Sequence, residues 1–242
     1  MGFKEKFATP SRSRVRTGSD YLQTTPDHPS VIRIMDEEPS VCWSHYIPKG
    51  HTTTGKPVNN GKGGSIICPG PSVCPVCQWN NEQTDDKKKL RSRRQFAVNV
   101  LDKTPVVKCE ECGEEHYEVN DEYPTVCTNP ECGADISELS PEPRNKVQIF
   151  MKGKSIADQI VDIESEFGPV TDRDLKLTTR GKGTETRMRC YPQKEEAIDY
   201  VDVLGEDWEE QKYDVENVVK PLEIEQIRRI FNGEDFFDVV KG

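Results

Sequence analysis

The chain has 242 residues, 33% hydrophobic and 31% charged, which is long enough for one large or two small domains but too poor in apolar residues for one continuous core. No apolar run approaches the roughly 20 residues of a membrane helix, and Met1 to Arg16 lacks the apolar stretch of a secretory signal, so a soluble, cytoplasmic protein is expected. The net charge of −10 is segregated: residues 195–242 carry −10, residues 105–140 carry −9, and the remaining body carries +9. A phosphate backbone meets local charge, so the acidic total does not exclude nucleic acid.

Residues 1–29 read as a basic flexible arm, with Lys4, Lys6, Arg12, Arg14 and Arg16 set among Ser, Thr and Pro. Two strands are predicted next, Val31 to Met35 and Val41 to Tyr46. A Gly/Lys/Asn-rich loop, Gly50 to Gly64, leads into Ser65 to Cys68. The basic run Lys87 to Arg94 feeds into Phe96 to Leu101, the strongest strand pattern in the chain. Pro105, Pro141 and Pro143 bound an acidic insert, residues 105–140. Another strand is predicted at Val147 to Phe150, then a helix from Ile156 to Glu166 capped by Ser155. Leu175 to Arg180 and Thr186 to Tyr191 read as a hairpin around Gly181-Lys182-Gly183, and Leu222 to Phe231 as a helix in the acidic tail, 195–242. Many short strands with few helices predict a mainly β fold built as a small barrel.

Seven of the nine cysteines fall into two clusters, which in a cytosolic chain points to metal rather than disulfides. Cys68, Cys74 and Cys77 are spaced C-x5-C-x2-C, and tetrahedral zinc requires a fourth donor. Cys42, His45 and His51 all lie upstream, and spacing does not choose among them. Cys109, Cys112, Cys127 and Cys132 are spaced C-x2-C…C-x4-C, a zinc-ribbon pattern. Each half ends in Cys-Gly, and the glycine permits the positive φ of a metal knuckle. Iron in a rubredoxin-like site is the rival metal. Both sites read as structural, because no candidate base or open position accompanies them.

Single strands are held by a basic groove along the backbone and by aromatic faces that stack on bases. The body offers Trp43, Tyr46, Trp79, Phe96, Phe150 and Tyr191 as aromatics. It offers Arg91, Arg93, Arg94, Lys152, Lys154, Arg180, Lys182, Arg187 and Arg189 as cations. Gly61-Lys62-Gly63-Gly64-Ser65 is no phosphate-binding P-loop, since Gly follows the lysine. With four histidines and no acidic pair in an apolar setting, no catalytic constellation is found, and no enzyme activity is expected.

The succession VCWSHYI (Val41 to Ile47), a Gly/Lys loop, Cys68, CPVCQW (Cys74 to Trp79), a basic stretch and RRQFAVNVLD (Arg93 to Asp102) resembles the single-stranded-DNA-binding, helix-destabilising proteins of T-even bacteriophages. The resemblance implies an OB-fold-like barrel over residues 30–104 and 141–194 with an embedded zinc subdomain. It matches His45 with Cys68, Cys74 and Cys77 as that zinc's donors. It further implies self-association along DNA through the basic arm, and an acidic tail that contacts replication or recombination proteins. The acidic zinc ribbon, 105–140, is an addition to the family pattern, and the spacer from Cys68 to Cys74 is short.

The expected function is therefore DNA replication, recombination and repair, by a two-zinc protein that binds single-stranded DNA with little sequence preference, in the host cell cytoplasm if viral. Removal of 195–242 is expected to raise DNA affinity, the tail occupying the DNA cleft when DNA is absent. The alternative is a zinc-ribbon interaction subunit of a transcription complex. A metal-dependent nuclease or primase fragment would need an acidic metal-binding pair, which is not found.

Overall fold

The computed structural model describes residues 20–24, 29–47, 64–119, 122–181, 187–234 and 239. His51, Lys182, most of the basic arm and most of the Gly50 to Gly64 loop lie outside these residues. The fold is mainly β, with antiparallel strand pairing throughout its named sheets and short helices. Among the described residues no helix is long and apolar enough to cross a membrane.

The main sheet is organised on β4 (Ser92–Asp102), an 11-residue strand. One edge of β4 pairs along its length with β8 (Lys146–Gly153). The other edge is shared by β1 (Ser30–Ile34) and β2 (Ser40–Ile47), which follow one another along it. β9 (Arg173–Arg180) and β10 (Arg187–Glu195) extend the sheet beyond β1, and β3 (Gly64–Ile67) extends it beyond β2. Residues 20–24 run beside β8, where Tyr21 bridges Ile149 in parallel. The ladder does not close into a barrel among the described residues. α2 (Lys154–Phe167) stands across the space between β8 and β10, packing on both.

Side chains alternate between the two faces of a strand. The inner face of β1, β4 and β8 carries Ile32, Ile34, Val98, Val100 and Phe150, packed against Ile156 and Ile163 of α2. α2 starts earlier than its sequence pattern suggests. Gly153 is its N-cap, no side chain caps it, and Ser155 sits inside the first turn. A charged cluster pins β1 to β9: buried Arg33 donates through Nε to Asp174 Oδ1 (2.7 Å), and Lys103 Nζ meets Asp174 Oδ2 at 2.6 Å.

The acidic insert forms a separate three-stranded sheet with the residues just after it: β5 (Pro105–Lys108), β6 (Glu115–His116) and β7 (Glu142–Pro143). Its core is small: Val107, Cys109, Cys127 and Ile136. Arg144 ties it to the main sheet, with Nη1 3.1 Å from buried Asp102 and Nε 2.7 Å from Glu115.

The C-terminal segment corrects an expectation. Its described residues are packed, and they lie elsewhere than on the inner face. From Ile198 to Val219, including α3 (Tyr200–Leu204) and α4 (Val215–Val218), the segment covers Leu101, Val147, Ala97 and Ile149. These four side chains belong to the outer face of β4 and β8. Asn99 grips it there: its Oδ1 accepts from Tyr213 N (2.8 Å) and its Nδ2 donates to Tyr213 O (3.0 Å). α5 (Ile224–Phe231) then buries Ile227, Ile230 and Phe231 against Ile47, Ile66, Val76 and Leu90. The helix expected at Leu222 to Phe231 is thus present, and its apolar residues are spaced for burial.

Candidate metal centres and nucleic-acid surface

His45 projects from β2 on the face it shares with Trp43, and its register partner Ile66 lies beneath the same subdomain. Cys68 follows β3, Cys74 is the N-cap of α1 (Pro75–Glu82), and Cys77 lies in that helix's first turn. A strand pair and one helix thus bring four donors together, each offering an atom within 4.8 Å of the others. Cys77 Sγ is 3.2 Å from His45 Nε2 and 3.7 Å from Cys68 Sγ. Donors about 2.3 Å from a tetrahedral ion stand about 3.8 Å apart, whereas a disulfide needs about 2.05 Å. The spacing fits a metal, and all nine cysteines are free thiols. Among the described residues His45 is the upstream candidate that joins the group. Cys42 is buried outside the group, and His51 lies outside the described residues.

Burial dominates the titration of the site's donors. Burial pushes the Cys77 thiol up to about 12, and the neighbouring thiols add to the shift. Burial lowers the His45 pKa against an opposing effect of the Leu90 backbone. Crowded buried thiols resist ionisation by themselves, and a bound metal reverses that logic.

The second group is Cys109, Cys112, Cys127 and Cys132, again within 4.8 Å of one another. Cys112 and Cys127 are 3.5 Å apart, and Cys109 and Cys132 are 3.7 Å apart. Gly113 and Gly133 have φ of 75° and 64°, the left-handed conformation expected of the knuckles. The Glu114 backbone N–H is the largest cause lowering the Cys112 pKa to about 7. Burial raises Cys127 to about 12, opposed by the Asn129 backbone N–H. Both groups can hold a metal ion.

No protein-family model matches the chain. No curated protein sequence matches it either.

The proposed nucleic-acid residues divide sharply. Phe96 and Phe150 are core residues, 6% and 0% exposed, meeting edge to face at 5.8 Å, so neither offers a face to a base. Trp79 is partly buried against Phe231. Lys154 is paired with Asp158 at 2.6 Å. Lys182 lies outside the described residues. Tyr46 is exposed, but it leaves β2 on the face opposite Trp43.

Trp43 is 52% exposed. It pairs in register with Arg94, and one step along the same face Val41 stands beside Phe96 and Lys152. Val41 and Trp43 are thus left open between the apolar core and the His45 subdomain. A groove of about 890 Å³ is lined by Arg93, which leaves β4 on the face opposite Trp43 and Arg94, and by Arg187, Arg189, Tyr191 and the first turn of α2. Arg91 and Arg180 are also exposed. Sequence reasoning missed the groove's floor at Gly153 and Ser155, because the helix start was placed too late.

Arg33, Lys103, Arg144 and Arg173 each meet a carboxylate. Among the described residues Arg93, Arg94, Lys152, Arg187 and Arg189 form no ion pair. Ion pairing does not set the cations of this region apart, since Lys87, Lys88, Lys108, Lys146, Lys176, Lys194 and Lys220 also form no ion pair among the described residues. Lys152 is held over the Phe150 ring at 5.6 Å with Thr24 Oγ1 at 3.5 Å, and burial lowers its pKa.

Proposed function

We propose that this protein binds single-stranded DNA with little sequence preference, as a non-enzymatic component of phage replication, recombination and repair. One observation carries the reading: Arg93, Arg187 and Arg189 line one groove together with Tyr191, and the exposed Trp43 stands beside Arg94 in the β2–β4 pair. Three arginines around one groove fit an anionic ligand. Phosphates would meet Arg93, Arg94, Arg187 and Arg189, releasing counterions, and bases would stack on Trp43 and Tyr191. The order of motifs from Val41 to Asp102, like that of T-even phage single-stranded-DNA-binding proteins, supports the same reading. So does β4, paired on one edge by the consecutive β1 and β2, in keeping with an OB-fold-like sheet.

Zinc is the metal that suits both donor sets, one of three thiolates and an imidazole, the other of four thiolates. With four protein donors each ion would be structural. The His45 site would hold β2, β3 and α1 together beside Trp43. The ribbon site would fold an insert whose apolar core is otherwise very small, as structural zinc does in small domains.

Fluorescence anisotropy of a labelled, unstructured oligonucleotide tests the proposal. Binding should weaken steeply as salt rises and be weaker for the matching duplex. No binding at low salt would overturn it and favour a protein-facing zinc-ribbon subunit.

A further inference from the structure

α1 is held in two ways. Its N-cap and first turn carry the donors Cys74 and Cys77 of the His45 site, and its flank lies against α5. Ile227 and Ile230 are buried in one cluster with Cys74 and Val76, and Phe231 meets the Trp79 ring edge-on. Each helix has only 8 residues, and helices shorter than about 12–15 residues are marginal alone. α5 begins with a capping box between Glu223 and Gln226, and Gln226 Nε2 also donates to Val239 O at 3.3 Å, so the segment's end is drawn into the same contact. Metal and α5 therefore fix the same element from two sides. Whatever stabilises α1 through one must favour the other, because coupling between two sites is reciprocal.

We propose that metal occupancy of the His45, Cys68, Cys74 and Cys77 site and docking of α5 are one coupled equilibrium. The C-terminal segment is then a metal-dependent strap. It stays docked while the site is loaded, and it frees an amphipathic helix with an apolar face, Ile227, Ile230 and Phe231, when the metal leaves. This inference rests on the reading of that group as a metal site.

The test uses the full chain reconstituted with zinc, with release followed by a chromogenic chelator. The unaltered protein should hold two zinc ions. Phe231→Leu and Ile227→Ala should speed release of one ion by roughly 5–150-fold, the usual range of such coupling, and leave the other unchanged. The reciprocal measurement leaves α5 intact. Cys68→Ser should raise amide hydrogen exchange across residues 224–231 by a similar factor, with the ribbon's exchange unaltered. If the unaltered chain binds one zinc and Cys68→Ser does not change that number, the metal reading fails and the coupling with it. If two ions bind but neither measurement moves, or both ions leave faster together, the coupling alone is overturned.

Discussion

Trp43 and Arg94 are register partners across the antiparallel pair β2–β4, and their side chains leave the sheet on one face. A stacking surface and a cation are thereby offered side by side, the combination that grips a base and its phosphate. Trp43→Ala should weaken oligonucleotide binding by roughly 1–3 kcal/mol, the cost of one lost stack. Arg94→Ala should instead lower the salt dependence by about one counterion, since one phosphate contact is lost. Equilibrium titrations at several salt concentrations distinguish the two. An equal effect of both on the salt slope would refute the assignment.

Phe96→Ala and Phe150→Ala act through stability. Each removes a buried ring and should cost about 3–5 kcal/mol of unfolding free energy. Denaturant melts would show the loss. At temperatures where the variants remain folded, their DNA affinity should stay close to that of the unaltered protein.

Lys152 is expected to trade stability for binding. Burial depresses its folded pKa below the ordinary lysine value. The protonated form is therefore disfavoured in the fold, and the penalty is fully present at pH values below the depressed folded pKa. It disappears as pH rises through that folded pKa toward the unfolded value. Lys152→Met should be at least as stable as the unaltered protein at neutral pH and bind DNA less tightly. Its advantage in Tm should shrink as pH approaches the pKa of free lysine. A variant less stable at neutral pH would contradict the sign.

Much of the main sheet was legible in the residues. The short runs at Val31 to Met35, Val41 to Tyr46 and Phe96 to Leu101, rich in β-branched and aromatic residues, marked strands that exist, the last of them buried on both faces. The two metal groups were legible because donor spacing is local, and the Cys-Gly pairs carried their own backbone requirement. His45 was recoverable only through the resemblance, since its partners lie 23 to 32 residues away. Two of the six aromatics, Phe96 and Phe150, are core residues for a simple reason. Phe96 and Trp43 sit in equally plausible strands, and only the position of α2 decides that one is covered and the other open. Asn99 gave no sign of gripping Tyr213, 114 positions along the chain. The helix expected at Leu222 to Phe231 exists as α5, whereas the place of Tyr213 on the sheet carried no local signal.

Removal of 195–242 is now expected to act oppositely to the charge-based view. It would bare the outer face at Ala97, Leu101, Val147 and Ile149 and open the core beside Cys74. The truncated chain should melt at lower temperature, aggregate and lose one metal ion. A soluble truncation with unchanged Tm and tighter DNA binding would restore the autoinhibitory tail.

The binding claim is tested most directly by intrinsic tryptophan fluorescence during titration with an unstructured oligonucleotide at low salt. The chain has three tryptophans, 43, 79 and 208, and only Trp43 lies open on the proposed surface. Quenching that saturates, reverses with salt and is lost in Trp43→Phe is the predicted result. Fluorescence unchanged by the oligonucleotide, or quenching that survives Trp43→Phe undiminished, would contradict it.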